Sequence, residues 1–186
     1  MTKNAVILVL LLAFTSEVVV AGEHALGAHE HGAIKIGLAI DKNIVEIDID
    51  GPAESFLGFE YLPKTAKEKK LLSDLKIQWT KKIETYFAFD KKLNCVTNTA
   101  SFEQVIDEKE TAEAQAKLKT GDKKESGVHS DIEAKAKLTC AQNLSGTNLT
   151  ISLRKSFKNI KKLSAEILSN ETKSVEIVKD IQVVQL

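Results

Sequence analysis

Two runs of alternating apolar residues near the start of the chain constrain its fold most strongly. The apolar positions are Ile34, Ile36, Leu38 and Ile40 in the first run and Val45, Ile47 and Ile49 in the second. Alternate residues of a strand point to opposite faces of a sheet, so each run predicts a strand with one buried face. Asp41, Lys42 and Asn43 supply turn chemistry between the runs. We therefore predict a β-hairpin here.

The rest of the chain predicts one main helix and several shorter strands. Thr65 and Glu68 have the spacing of a capping box, and apolar residues with helical spacing follow, so we expect a helix over residues 66–81. Residues 55–63 are apolar and aromatic without a clear period, which indicates a packed loop. Alternating segments predict strands at residues 85–89, 95–107, 132–138, 149–153, 162–168, 173–178 and 181–186. The predicted class is α+β, with a β-rich antiparallel sheet and one main α-helix.

The N-terminus has the pattern of a signal peptide. Lys3 precedes an unbroken apolar run over residues 5–14. A membrane span needs about 20 apolar residues, so this run predicts export without stable membrane insertion after cleavage. Small residues favour a cut before Gly22. We expect residues 1–21 to be removed and residues 22–186 to form a single domain.

Charge and motifs exclude several functional classes. The chain carries 26 Lys and Arg against 26 Asp and Glu, which gives a net charge of zero. A neutral chain lacks the basic surface that binds nucleic acid. The sequence contains no nucleophile elbow, zinc-protease motif, phosphate loop or dinucleotide fingerprint. We therefore predict that the protein is not an enzyme.

Two cysteines, Cys95 and Cys140, favour a disulfide in an exported protein. Two buried free thiols are the main alternative, and a metal site is a distant third because no CxxC spacing exists. Residues 107–125, between the cysteines, have Leu118 as their one sizeable apolar residue. We expect a polar insertion there, either mobile or extending its flanking strands. It would form the tip of a long hairpin with the disulfide near its base.

Three of the four histidines lie close together, at His24, His29 and His31. His29 and His31 are two residues apart, so on a strand their imidazoles would share one face and could bind one metal ion. Glu30 could add an oxygen ligand, and His129 could complete a site if the fold returned it to this segment. Imidazole suits zinc, copper and nickel. The alternative is a polar N-terminal segment that binds no metal.

Two further metal hypotheses come from the residues themselves. After a cut before Gly22, the free amine, two backbone amides and His24 would form a square-planar nitrogen set for copper or nickel. An acidic row at Glu46, Asp48 and Asp50 could hold calcium, but we interpret it as a solvated face of the predicted sheet.

Several motifs together resemble the ZrgA-type family of exported bacterial proteins. They are His29-Glu30-His31-Gly32, Gly51-Pro52-Ala53, Leu57-Gly58-Phe59-Glu60 and Pro63-Lys64-Thr65. The resemblance extends through both cysteines to residue 157. It implies a periplasmic zinc-binding protein associated with zinc uptake, and not an enzyme.

The candidate ligands of this chain match the family motif to different degrees. His29 and His31 match the family motif, Glu60 matches it with a role that could be structural, and His24 is a weaker match. The family often has a His/Asp/Glu-rich insertion where this chain has residues 107–125, and often has histidine at Tyr61. Both departures argue against high-capacity zinc binding.

The resulting hypothesis is a periplasmic accessory protein that binds zinc at its N-terminal histidines and helps supply a zinc importer component. A metal-free interaction module, docking a partner through residues 55–63, is the alternative, and copper or nickel binding at the mature N-terminus is a third.

Overall fold

The computed structural model describes residues 31–106 and 129–186, and nine strands in these ranges form two sheets. The strands are β1 (Ala33–Asp41), β2 (Ile44–Pro52), β3 (Phe87–Phe89), β4 (Val96–Ile106), β5 (Ser130–Thr139), β6 (Asn148–Ile151), β7 (Lys162–Leu168), β8 (Thr172–Glu176) and β9 (Gln182–Gln185). The helices are α1 (Glu54–Leu57), α2 (Ala66–Tyr86) and α3 (Leu153–Ser156), with a 3-10 turn at Lys91–Leu93. No helix in these two ranges is long and apolar enough to span a bilayer.

The larger sheet has six strands in the order β4-β5-β2-β1-β7-β8. The predicted hairpin is confirmed as β1 and β2, which occupy the two central positions. Its alternating apolar side chains face the core, with Leu38, Val45 and Ile49 fully buried. The antiparallel prediction holds for every pair in the sheet except β1 and β7, which run parallel. Alternation fixes which face of a strand is buried, but it carries no information about the direction of a distant partner.

Helix α2 lies against β4 and β5 on the core side of the sheet. Trp79 is 1% exposed, and its indole nitrogen donates to the carbonyl of Lys135 at 3.1 Å. The helix continues to Tyr86, beyond the predicted end at residue 81, because Ile83 and Tyr86 extend its buried stripe. Tyr86, Phe87 and Phe89 favour a strand when only the local sequence is considered. Tertiary packing nevertheless places Tyr86 in the helix.

The predicted capping box at the start of α2 is confirmed. Thr65 Oγ1 accepts from the amide of Glu68, while the Glu68 carboxylate accepts from the amides of Lys64 and Thr65, each at 2.8 Å. Tyr61 donates its hydroxyl to the same carboxylate at 2.9 Å. The pKa of Glu68 is lowered from 4.5 to about 2. The hydrogen bond from the Thr65 amide contributes most to this shift, followed by those from the Lys64 amide and the Tyr61 hydroxyl.

The predicted loop over residues 55–63 is packed, but it begins inside the short helix α1. Phe56 is 7% exposed, and its ring lies 5.7 Å from that of Phe102 and 5.0 Å from that of Phe157. The first part of the segment thus belongs to the core, and Tyr61 and Leu62 are its exposed apolar residues.

The smaller sheet contains β3, β6 and β9, with β6 in the centre. Its strands match three of the predicted segments, and the predicted strand at 149–153 ends at Ile151 because helix α3 takes over at Leu153. Buried residues of both sheets and α2 form a continuous core. The β-rich α+β class is therefore confirmed.

A disulfide joins Cys95 and Cys140, as predicted. It lies where β4 begins and β5 ends, at the base of the predicted long hairpin. The adjacent hairpin turn is tied to the same point, because the Cys140 amide donates to Asn43 O and Asn43 Nδ2 donates to Cys140 O, both at 2.8 Å. The predicted mobile insertion at 107–125 lies outside the described residues.

Removing the disulfide should lower stability substantially. It closes a loop with a sequence separation of 45 residues, so Cys95→Ala with Cys140→Ala should reduce the free energy of unfolding by about 2–5 kcal/mol. Urea unfolding followed by circular dichroism measures the change. Wild-type protein unfolded in reductant is the matched control and should show a similar loss; a double variant as stable as the oxidised protein contradicts the expectation.

The capping box should make stability depend on pH in the acidic range. Because folding lowers the pKa of Glu68, its contribution is fully present above pH 4.5 and is lost as the pH falls towards about 2. The melting temperature of Glu68→Ala should lie below that of wild type at pH 7, and this gap should close with acidification.

Thr65→Ala is the control for the same helix start, since threonine does not titrate. It should cost about 1 kcal/mol at neutral pH, and most of that cost should persist in acid. Thermal melts from pH 7 to pH 2 measure both variants. A gap for Glu68→Ala that stays constant over this range rules out the proposed charge effect.

Candidate metal centre

Four side chains of types that can bind metal ions meet at one end of the larger sheet. His31 precedes β1, Glu54 begins α1, Glu60 lies between α1 and α2, and His129 precedes β5. The register explains why they meet: Lys35 pairs with Asp50 and Pro52 pairs with Asp131. The start of β1, the end of β2 and the start of β5 are therefore neighbours at the same edge.

The Glu60 carboxylate lies between the two imidazoles. His31 Nδ1 is 2.5 Å from Glu60 Oε1 and 3.2 Å from Glu54 Oε2. His129 Nδ1 contacts the other oxygen of Glu60, Oε2. The two rings lie 6.2 Å apart at an angle of 70°. Glu60 therefore joins two histidines that are far apart in sequence.

Local backbone features place Glu54 and Glu60 at this edge. A Cβ at Gly51 would lie 2.4 Å from Ile34 Cδ1, so glycine at this position allows the end of β2 to approach the start of β1 closely. Gly58 ends α1 with φ +81°, a conformation that glycine adopts without steric cost, and turns the chain towards Glu60. The amide of Ala53 donates to Ser130 O at 2.9 Å, which fixes α1 against the start of β5.

The four side chains are open to solvent to different degrees. The exposed fraction is 60% for the side chain of His31, 55% for His129 and 43% for Glu54, but 21% for Glu60. Glu60 is therefore the fixed centre of the group, and the two histidines lie at its surface. Both imidazoles are therefore accessible from solvent.

The donor set suits a divalent transition metal. One ligand atom from each of His31, Glu54 and Glu60 lies within 4.8 Å of the others. Imidazole nitrogen and carboxylate oxygen are both zinc ligands, and three protein ligands with a remaining open position form a common zinc arrangement. In the absence of an ion, the same groups can form histidine–glutamate hydrogen bonds.

The structure places the predicted site residues unevenly. His31, Glu60 and His129 are brought together, and the fold returns His129 to the N-terminal segment, as its participation requires. His24, His29 and Glu30 lie outside the described residues. Metal binding by any of the six remains a prediction.

Sequence reasoning missed Glu54. No periodic pattern marks it, because it occupies the first turn of a helix of four residues. The available signal is its position directly after Gly51-Pro52-Ala53, where the second strand of the hairpin ends. A hairpin places that end beside the start of its first strand, where His31 lies.

Tyr61, which stands where the resembled family often has histidine, is turned away from the site. Its hydroxyl donates to Glu68, which raises the pKa of Tyr61, and its ring stacks on Phe59 at 4.9 Å. Lys64 Nζ lies 4.8 Å from the ring centre. Tyr61 therefore fastens the loop to α2 and leaves Glu60 to face the histidines.

The other polar features of the described residues lie elsewhere. Glu46 and Asp48, in the acidic row of β2, are exposed, and Glu46 forms an ion pair with Lys137 at 2.8 Å, in agreement with a solvated sheet face. A polar depression of about 420 Å³ lies at the far end of β1, beside Asp41 and Lys42. No histidine or cysteine lines it.

A known protein family matches most of the chain. No curated protein matches the chain. A family model described as "ZrgA family zinc uptake protein" matches residues 28–186. This range includes the motifs that carry the resemblance, both cysteines and all four side chains of the candidate site. The chain therefore belongs to the ZrgA family of zinc uptake proteins.

Proposed function

We propose that this protein is a periplasmic zinc-binding accessory protein and that it binds zinc at the sheet edge through His31, Glu60 and His129, with Glu54 as a further oxygen ligand. The observation that carries the proposal is the position of Glu60, whose carboxylate lies between the two imidazoles. Zinc is the cargo of such a protein, so the site needs to bind and release the ion.

The exposure of the ligands supports a role in transfer. Structural zinc sites are closed, whereas the two histidine side chains of this group are more than half exposed. Such a site can pass its ion to a partner that supplies competing ligands. A zinc importer component is the partner class we propose.

The N-terminal histidines extend this proposal. His29 and Glu30 directly precede His31 in the sequence, and the imidazole of His29 is a ligand type that zinc prefers. We propose that His29 adds a ligand to the site, while His24 belongs to the separate question of the mature N-terminus.

Export is supported by two independent features. The apolar leader has the pattern of a signal peptide, and the Cys95–Cys140 disulfide is typical of an oxidising compartment such as the periplasm. The family description names zinc uptake and not a reaction. We therefore propose a binding role without catalysis.

Zinc affinity should depend on residues from three separate segments. Isothermal titration of the mature protein with zinc should give one dominant site, and His31→Ala, His129→Ala and Glu60→Gln should each weaken it at least tenfold. Glu166→Gln, which replaces an exposed carboxylate on β7 by a carboxamide, is the matched control. It should bind zinc like wild type. Wild-type affinity in a His31→Ala, His129→Ala double variant would falsify the proposed site.

Copper or nickel binding at the mature N-terminus should depend on His24 and not on the residues of the sheet-edge site. His24→Ala should abolish copper binding there while leaving zinc affinity within about twofold of wild type, because His24 is not needed for the sheet-edge site. Titration with each metal in parallel separates the two sites, and mass spectrometry establishes whether the mature chain begins at Gly22. Loss of zinc binding in His24→Ala alone would favour the N-terminal site instead.

A further inference from the structure

We infer that Ser130 is the positioning residue of the sheet-edge site: its hydroxyl and carbonyl fix the backbone of the segments that carry Glu54, Glu60 and His129. This inference rests on the proposed zinc-binding function. Ser130 has no metal-ligating role in it, and it acts through the residues that it holds.

The hydrogen bonds of Ser130 reach all three segments. Its side chain is buried, at 2% exposure. The hydroxyl donates to the main-chain carbonyl of Glu60 and accepts from Gln104 Nε2 at 2.7 Å. Its own carbonyl accepts from the amide of Ala53, the residue before Glu54, at 2.9 Å. His129 is its covalent neighbour.

Gln104 completes this arrangement from β4. Besides the bond to Ser130, its Nε2 donates to the carbonyl of Tyr61 at 3.1 Å. The side-chain amide thus holds the residue that follows Glu60, while Ser130 holds Glu60 itself. Gln104 Oε1 is buried without a hydrogen-bond partner among the described residues. A buried acceptor without a partner is unfavourable, so the amide orientation is set by its two donated bonds.

This network matters for metal binding because the side chains of His31, Glu54 and His129 are 43–60% exposed. Side chains with half of their surface in solvent are not fixed by packing, so their positions depend on their backbone. Three ligands on separate segments converge only if those segments are held in register. Loss of partners that orient metal ligands typically costs 10–100-fold in metal affinity.

The chain offers a closely matched control in Ser55. Ser55 is 1% exposed and directly follows Glu54. Its hydroxyl has no hydrogen-bond partner in the described part of the chain. Ser55→Ala therefore removes the same atom, at the same depth and beside a site residue, without removing a positioning contact.

Zinc titration of folded protein tests the inference. Ser130→Ala should bind zinc 10–100-fold more weakly than wild type, and Gln104→Ala should weaken binding in the same direction. Ser130→Thr, which keeps the hydroxyl, should recover most of the affinity, and Ser55→Ala should stay within twofold of wild type. Circular dichroism confirms that each variant is folded at the titration temperature, and amide hydrogen exchange at residues 60–62 should accelerate in Ser130→Ala but not in Ser55→Ala.

The outcomes separate this inference from the function on which it rests. If wild type binds zinc, Glu60→Gln weakens binding, and folded Ser130→Ala and Gln104→Ala bind like wild type, the positioning role is wrong and the site stands. An equal loss in Ser55→Ala also overturns it, because general destabilisation would then explain the effect. If wild type does not bind zinc, the proposed function fails, and the inference fails with it.

Discussion

The β1–β2 hairpin is the constraint on which the rest of this structure depends. Its apolar face forms the centre of the core, with Ile34, Leu38 and Ile49 almost fully buried. Burial of a side chain of this size contributes about 1.5–3 kcal/mol. A shift of one residue in pairing would turn this face to solvent, so the register is strongly fixed.

The hairpin register also determines where the candidate metal centre forms. At one end of the hairpin lie the turn and the disulfide, which are joined by the reciprocal bonds of Asn43 and Cys140. At the other end, β1 begins, β2 ends and β5 begins. His31, Glu54 and His129 occupy positions directly outside these strand ends. The rigid sheet thus supports a site whose own side chains are exposed, which combines a defined geometry with access for an ion.

Local patterns in the sequence predicted the elements better than their assembly. The hairpin, the capping box and the disulfide each depend on residues that are adjacent in sequence or on a single pair of cysteines, and all three are confirmed. The site depends on the pairing of β2 with β5, which no local pattern specifies. That pairing brings His129 close to His31. Sequence patterns therefore identified both residues as candidate ligands, but they could not show that the two lie together. Glu54 was missed for a different reason: it begins a helix of four residues, which is too short to show a periodic pattern.

In the proposed function, zinc binds between the two imidazoles at the sheet edge. The most direct measurement is a crystal structure of the zinc-loaded protein with anomalous diffraction recorded on both sides of the zinc edge. We expect a single strong anomalous peak coordinated by His31, Glu60 and His129. A peak held by the N-terminal histidines without Glu60 and His129, or a zinc-soaked crystal with no peak at this edge, would contradict it.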